Sequence, residues 1–144
     1  MAKFFNFISI YYNLMNVGQL VSKKIVTLSA SSSVREAAKT MRENDVSSVL
    51  LVGEKGEIRA IVTERDVTRA VAEGLDYSIP AVKIGMSPVI SVDRNLSVLE
   101  ALEIMGEKRI RHVLVKDGDK PIGVVSLREM ANALSLLAFA ETSY

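Results

Sequence analysis

The sequence contains two similar halves in tandem, and this repeat limits the folds that the chain can adopt. Residues 25–52 align without gaps on residues 89–116, an offset of 64 positions. Identical residues recur at Ser33/Ser97, Val34/Val98, Glu36/Glu100, Ala37/Ala101, Met41/Met105, Glu43/Glu107 and Val49/Val113. Beyond a glycine-containing turn the offset becomes 63, which places the one-residue length difference in a loop, where such changes are tolerated best. The fold must therefore be built from two equivalent units.

Each half predicts the same order of elements, β-α-β-β-α. The expected strands are 25–28, 46–52 and 58–62 in the first half, and 89–92, 110–115 and 121–125 in the second. Apolar residues at helical spacing predict the first helix of each half: Val34, Ala37, Ala38 and Met41, then Val98, Ala101, Leu102 and Met105. Ser-x-x-Glu capping boxes precede both helices, at Ser33/Glu36 and Ser97/Glu100. The closing helices are expected from about Glu64 to Glu73, ended by Gly74, and from near Leu127.

Neither half alone can bury a three-stranded sheet and two helices well. We therefore expect a mixed α+β fold in which the two units pack sheet to sheet around an approximate two-fold axis. In chain order we expect an apolar extension (1–14), repeat one (15–75), a connector (76–88), repeat two (89–136) and a C-terminal tail (137–144). The apolar segment that ends repeat two, NALSLLAFA, is expected to be buried, either within the chain or against another subunit.

The first fourteen residues, MAKFFNFISIYYNL, are apolar and aromatic. They are too few to span a bilayer, which takes roughly 20 apolar residues. The residues that follow make a poor signal-peptide cleavage site. Two interpretations are open: an added strand or helix that packs on the body or on a second copy, or an anchor at a membrane surface.

Composition excludes several classes of function. The formal net charge is +1, whereas a general nucleic-acid binder needs a concentrated basic face. The chain has no cysteine, so disulfides and thiolate metal sites are excluded. A single histidine cannot build a metal site of several histidines, and the sequence has no Ser-His-Asp order, P-loop or HExxH motif. We therefore expect a protein that is not an enzyme and has no obligatory cofactor.

The two repeats resemble the CBS-domain family, named after the regulatory region of cystathionine β-synthase. The resemblance rests on VREAAKTMRENDVSSVLLV followed by IRAIVTERDV, and on VLEALEIMGEKRIRHVLV followed by PIGVVSLREM. It implies a tandem pair, often called a Bateman module, that binds AMP, ADP, ATP or an S-adenosylmethionine-type ligand in clefts between the repeats. It also implies a disc-shaped homodimer of such pairs.

In that family, a Gly-apolar-apolar-Thr/Ser-x-x-Asp stretch holds the ribose and phosphate end of the ligand. Repeat one matches this pattern at Thr63 and Asp66, and departs from it only at Ala60, where glycine is usual. A carboxylate can accept hydrogen bonds from both hydroxyls of a ribose. Repeat two carries Ser126 and Glu129 instead. Because a capping box prefers Glu or Gln at this position, the shorter Asp66 favours the ribose role and Glu129 favours a helix cap.

A second group of residues lies at the start of the middle strand of repeat two. Arg111 and His112 match the positions at which family members often contact phosphate, and a planar guanidinium suits that role. The alternatives are a solvated basic strand end, or a histidine whose ring only fills the edge of the sheet. The resemblance places adenine at backbone and apolar positions: Thr27, Val46 and Ser47 in repeat one, and Ser91 and Ile110 in repeat two.

The sequence therefore predicts a cytoplasmic module that senses an adenosine-containing ligand and transmits its binding to a dimer surface or to an unidentified regulated protein. No membrane span and no nucleic-acid partner are expected. The alternative is a structural module that dimerises through its helices and apolar tail, with clefts that bind nothing.

Overall fold

In a computed structural model the chain is described at residues 15–21 and 24–142, with side chains through Leu136. It divides into two compact units. The first-repeat unit is residues 25–89, and the second-repeat unit is residues from 90 onward together with those up to 24. Both are mixed α+β, as predicted. The two interpretations of residues 1–14 fall outside the described residues.

The first-repeat unit contains one three-stranded sheet and two helices. Its elements, in chain order, are β1 (Thr27–Ser29), α1 (Val34–Asn44), β2 (Ser48–Val52), β3 (Ile58–Thr63) and α2 (Glu64–Ala72). Strand β2 is central, parallel to β1 and antiparallel to β3. A short 3-10 turn, Ala81–Lys83, follows in the connector.

The second-repeat unit repeats this order. Its elements are β4 (Ser91–Asp93), α3 (Val98–Lys108), β5 (His112–Asp117), β6 (Lys120–Ser126) and α4 (Leu127–Thr142). Strand β5 is central, parallel to β4 and antiparallel to β6. A 3-10 turn at Val17–Leu20 precedes the first repeat in the chain but belongs to this unit. The predicted β-α-β-β-α order is thus present twice.

Each core forms between the middle strand and the predicted face of the first helix. Ala37 and Met41 are buried with Val49 and Leu51 of β2. In the second-repeat unit the equivalent cluster contains Val98, Ala101, Met105, Val113 and Val115. The helical spacing read from the sequence therefore identified the buried faces correctly.

Strand boundaries differ from those predicted by one to two residues. The middle strands begin at Ser48 and His112, later than the predicted starts at 46 and 110. The reason is the end of the preceding helix: the amides of Val46 and Ile110 bond to the carbonyls of Met41 and Met105, at 3.0 Å in both cases. These residues finish the helix rather than start a strand.

The ends of the helices show one feature that the sequence did not predict. Asp45 and Arg109 adopt left-handed backbone conformations, with φ of 51° and 54°. They end α1 and α3 at equivalent positions of the repeats, where glycine is usual. Gly74 ends α2 with φ of 70°, as predicted. At the helix starts, Ser33 and Glu36 form the full capping box, and Ser97 makes its half with the Glu100 amide at 3.1 Å.

Each unit is completed by the segment that leads, in the chain, into the first strand of the other repeat. The connector lies along the first-repeat unit, where the amide of Val34 bonds to the carbonyl of Ile79 at 3.0 Å. The equivalent bond in the second-repeat unit joins Val98 to Met15, at 2.8 Å. Residues 15–21 thus pack against repeat two, although in sequence they lead into repeat one.

Helix α4 begins at Leu127, as predicted, and continues through the apolar segment. Leu134 and Leu136 are exposed, the latter by 72%. The chain itself therefore does not bury this part of the segment. Side chains beyond Leu136 fall outside the described residues.

The left-handed conformation at Arg109 leads to a first prediction. We expect Arg109→Gly to raise the free energy of unfolding by about 0.5–1 kcal/mol, because glycine adopts this conformation without steric cost. Urea denaturation would measure the change. Asp45→Gly is the matched control at the equivalent position, and its gain should be smaller because aspartate tolerates the left-handed region better than arginine does. A loss of stability in Arg109→Gly would contradict this account of the helix end.

Candidate functional site

In both units a strand runs into a helix without an intervening loop, and the predicted site residues lie at this junction. Strand β3 ends at Thr63 and α2 begins at the next residue. The first amide of α2, on Glu64, donates to the carbonyl of Ser47 at 3.0 Å. In repeat two, Leu127 donates in the same way to the carbonyl of Arg111, at 2.8 Å. The junction therefore joins the end of the third strand to the residue just before the middle strand.

Thr63 and Asp66 form a reciprocal cap at the start of α2. The Asp66 Oδ2 atom accepts from the Thr63 amide at 2.9 Å and from the Thr63 hydroxyl at 3.1 Å. The Asp66 amide returns a longer bond of 3.4 Å to the Thr63 hydroxyl. The preference of a capping box for Glu or Gln therefore does not prevent Asp66 from forming the cap. Thr63 sits close enough for the shorter side chain to reach its amide, so length does not distinguish a cap from a ribose contact here.

The second oxygen of Asp66 is less engaged. Oδ1 has a single ion-pair contact, to Arg69 at 3.8 Å, and the Arg69 side chain is 58% exposed. The Asp66 side chain is only 14% exposed, and its two bonds to Thr63 orient the carboxylate. A carboxylate has about four acceptor positions, and Thr63 uses two of them. Capacity remains for two more donors. Sequence reasoning missed Arg69, although its spacing of three residues from Asp66 on a helix was a usable signal.

The junction in repeat two has the same design with a longer acid. Ser126 is buried, and its hydroxyl accepts from the Glu129 amide at 3.2 Å and lies 3.3 Å from Glu129 Oε1. Both acids therefore take part in caps. The asymmetry predicted between the two repeats is not visible in the caps themselves, and it stays a prediction about ligand binding.

The basic residues lie beside the junction of repeat two. Strand register pairs His112 with Ser126, and Arg111 immediately precedes this pair. His112 is half-buried, whereas Arg111 is exposed. Within the described residues, the exposed cations Lys108, Arg109 and Arg111 have no ion pair. The same stretch of repeat one carries Asp45, Ser47 and Ser48. Positive charge is thus concentrated at one of the two junctions.

The remaining predicted residues divide into two groups. Val46 and Ile110 lie beside their junctions, in the residues that precede β2 and β5. Thr27 and Ser91 are exposed at the starts of the outer strands and pair with Leu50 and Leu114, two residues along the middle strand from each junction. Each unit thus brings most of its own predicted residues to one end of its sheet.

Neither a metal site nor a membrane-spanning helix is present in the part of the chain that the structure describes. No group of three or more His, Asp or Glu side chains there could hold a metal ion. None of the described helices has the length and apolar character needed to cross a membrane.

Comparison with known proteins agrees with this architecture. The profile of the CBS domain matches residues 17–73 and 82–136. The uncharacterized protein MK0525 of Methanopyrus kandleri is 35% identical over 119 residues, which cover 81% of this chain and 61% of that protein. An uncharacterized 17.7 kDa protein of Acidianus ambivalens is 32% identical over 119 residues, covering 82% of this chain and 72% of the relative.

Solved structures match over both repeats. An uncharacterized conserved protein from Pyrococcus horikoshii superposes with a TM-score of 0.77 at 30% identity, covering 84% of this chain and 92% of its own. The CBS domain protein PAE2072 from Pyrobaculum aerophilum, complexed with AMP, gives a TM-score of 0.73 at 30% identity, covering 85% and 99%. With both repeats matched by the domain profile, and the fold by these structures, the chain belongs to the CBS domain family.

Proposed function

We propose that this chain is a regulatory module that binds an adenosine-containing ligand, with Asp66 as a ribose contact in the first-repeat unit and Arg111 and His112 as phosphate contacts in the second-repeat unit. The observation that carries the proposal is the state of the Asp66 carboxylate. Thr63 fixes one of its oxygens, while the other has only a long contact to an exposed arginine. Two vicinal hydroxyls are donors that such a carboxylate can accept together.

The phosphate half of the proposal is supported by the unequal charge of the repeats. Repeat one has no cation at the positions of Arg111 and His112, since Ser47 and Ser48 stand there. The cations at the junction of repeat two are therefore the candidates for a phosphate contact. Arginine suits this role because its planar fork can donate two parallel hydrogen bonds to phosphate oxygens. A relative that is 30% identical was solved in complex with AMP, which is consistent with a ligand of this class.

The second candidate is an interaction module whose clefts bind nothing. One observation favours it: Leu127, Leu134 and Leu136 of α4 are exposed in the single chain. Exposed leucines on one helix are typical of a surface that meets another protein. This function and ligand sensing use different parts of the molecule, so a ligand titration can separate them.

Ligand binding is tested first by thermal unfolding with AMP, ATP, S-adenosylmethionine and NAD, each at millimolar concentration. We expect at least one to stabilise the chain, by about 2.7 kcal/mol when its concentration is 100 times Kd. GMP, which keeps the ribose and phosphate but changes the base, is the control ligand. If none of the adenosine compounds raised the melting temperature, the interaction module would be the better account.

Asp66→Glu separates the cap from the ribose contact. Glutamate is the residue that a capping box prefers, so the melting temperature should change little. The extra methylene displaces the carboxylate, so affinity for the stabilising ligand should fall at least about tenfold, the loss expected for a hydrogen bond to a charged group. The matched control is Glu36→Asp in the capping box of Ser33. This substitution changes the length of the acidic side chain in a box for which no ligand is proposed. Unchanged affinity in Asp66→Glu would remove Asp66 from the site.

Arg111→Ala tests the phosphate contact. We expect the affinity for AMP to fall about tenfold or more, while the affinity for adenosine, which has no phosphate, stays the same. Isothermal titration with the two ligands measures both. Arg59→Ala, which removes an exposed cation from the hairpin of repeat one, should alter neither affinity. Equal losses for AMP and adenosine would mean that Arg111 supports the fold and not the phosphate.

A further inference from the structure

Residues 15–21 and the connector complete the two units at equivalent places. This raises the question of which contacts direct each segment to its own unit. Asn16 forms an isolated antiparallel bridge with Ser97, and Pro80 forms the same bridge with Ser33. Both pairs are related by the offset of the sequence repeat. One buried apolar residue follows in each segment, Val17 or Ala81. The shared bridge and the buried residue that follows it therefore do not by themselves distinguish the segment at residues 15–21 from the connector.

Further along, each segment crosses the third strand of its unit, and the crossing in the second-repeat unit depends on Gly123. A Cβ atom placed on Gly123 would collide with one methyl group of Val21 and lie 3.2 Å from the other. Gly123 is buried in strand β6. The Val21 side chain therefore fills the space that any other residue at position 123 would need.

The crossing in the first-repeat unit uses the opposite arrangement. The strand residue is Ala60, fully buried, and the segment residue is Gly85. A Cβ on Gly85 would lie 2.8 Å from the carbonyl oxygen of Ile61 and 3.5 Å from the Ala60 methyl group. The connector passes this close because Ile61 and Met86 exchange two backbone hydrogen bonds, of 2.9 and 3.1 Å.

We propose that these two crossings form a steric code that assigns each segment to its own repeat. Each crossing contains one glycine. In the first-repeat unit it belongs to the segment (Gly85), and in the second-repeat unit it belongs to the strand (Gly123). Val21 cannot occupy the place of Gly85, because its Cβ would meet the backbone of Ile61. Gly85 is required by the Ile61 carbonyl oxygen and the Val62 side chain, which would lie 2.8 and 2.9 Å from a Cβ there, whereas the Ala60 methyl group lies at an ordinary contact distance of 3.5 Å. The assignment of each segment to its own repeat does not depend on any ligand.

The code predicts specific coupling between Val21 and Gly123. Gly123→Ala should lower the melting temperature by several degrees, and Val21→Ala in the same chain should restore most of the loss, so that the two changes are strongly non-additive. Gly106→Ala is the matched control, because a Cβ there meets nothing within 4 Å, and it should stabilise helix α3. Additive effects of Val21→Ala and Gly123→Ala would overturn the proposal.

The first-repeat crossing should behave differently. Gly85→Ala should lower the melting temperature, and Ala60→Gly should not rescue it, because the Ile61 carbonyl oxygen remains in the way. The geometry therefore requires that the second substitution restores the melting temperature at the Val21–Gly123 crossing but not at the Ala60–Gly85 crossing. Rescue at Ala60–Gly85 would show that side-chain volume alone sets both crossings, and it would contradict the code.

Cross-linking gives a readout that does not depend on melting. The chain has no cysteine, so engineered pairs are unambiguous. Asn16→Cys with Ser97→Cys should form an internal disulfide, since the two residues are bridge partners. Adding Gly123→Ala should lower its yield, and adding Val21→Ala as well should restore it. Asn16→Cys with Ser33→Cys is the mismatched pair, and an equal yield there would show that the segments are not sorted.

Discussion

The structure depends on a middle strand that is buried on both sides. Val49, Leu50 and Leu51 of β2 are each at most 1% exposed, and so are their counterparts in β5, Val113, Leu114 and Val115. Three consecutive apolar residues on a strand point to alternate faces, so both faces of each sheet are covered. The parallel strand, the antiparallel strand and the two helices of each unit are arranged around this requirement. The burial of the middle strands also explains the position of the strand–helix junctions. Their polar residues lie at the ends of strands whose centres exclude water.

Much of the architecture could be predicted because it is encoded locally. The spacing of Ala37 and Met41 identified a buried helix face, and Ser33 with Glu36 marked a helix start, because both signals lie within a few residues. What could not be predicted came from contacts distant in sequence or from backbone conformation. The left-handed ends at Asp45 and Arg109 carry no glycine to reveal them. Residues 15–21 read as the start of repeat one, and only tertiary contacts assign them to repeat two.

The placement of the candidate residues in the fold could be predicted, but the contacts that they make could not. The repeat alignment placed Thr63 and Ser126 at equivalent junctions, and the structure brings their predicted neighbours to the same ends of the sheets. The length of one side chain does not decide between the two roles of Asp66, because its carboxylate reaches the Thr63 amide at 2.9 Å and completes the cap. The cap and a ligand contact are compatible, since a carboxylate has two oxygens. A residue can therefore start a helix and remain able to accept two hydroxyls.

The path of the chain through its units has a kinetic consequence. The second-repeat unit is discontinuous, with the whole of residues 25–89 inserted between its parts. Joining Val17 to Leu96 closes a loop of about 80 residues, whose entropy must be lost before the contact forms. The first-repeat unit closes shorter loops, the longest being the roughly 50 residues between Ser32 and Ala81, and once folded it brings its two ends into fixed positions and shortens the effective loop. Folding should therefore proceed from the inserted unit outward, with residues 15–21 docking last.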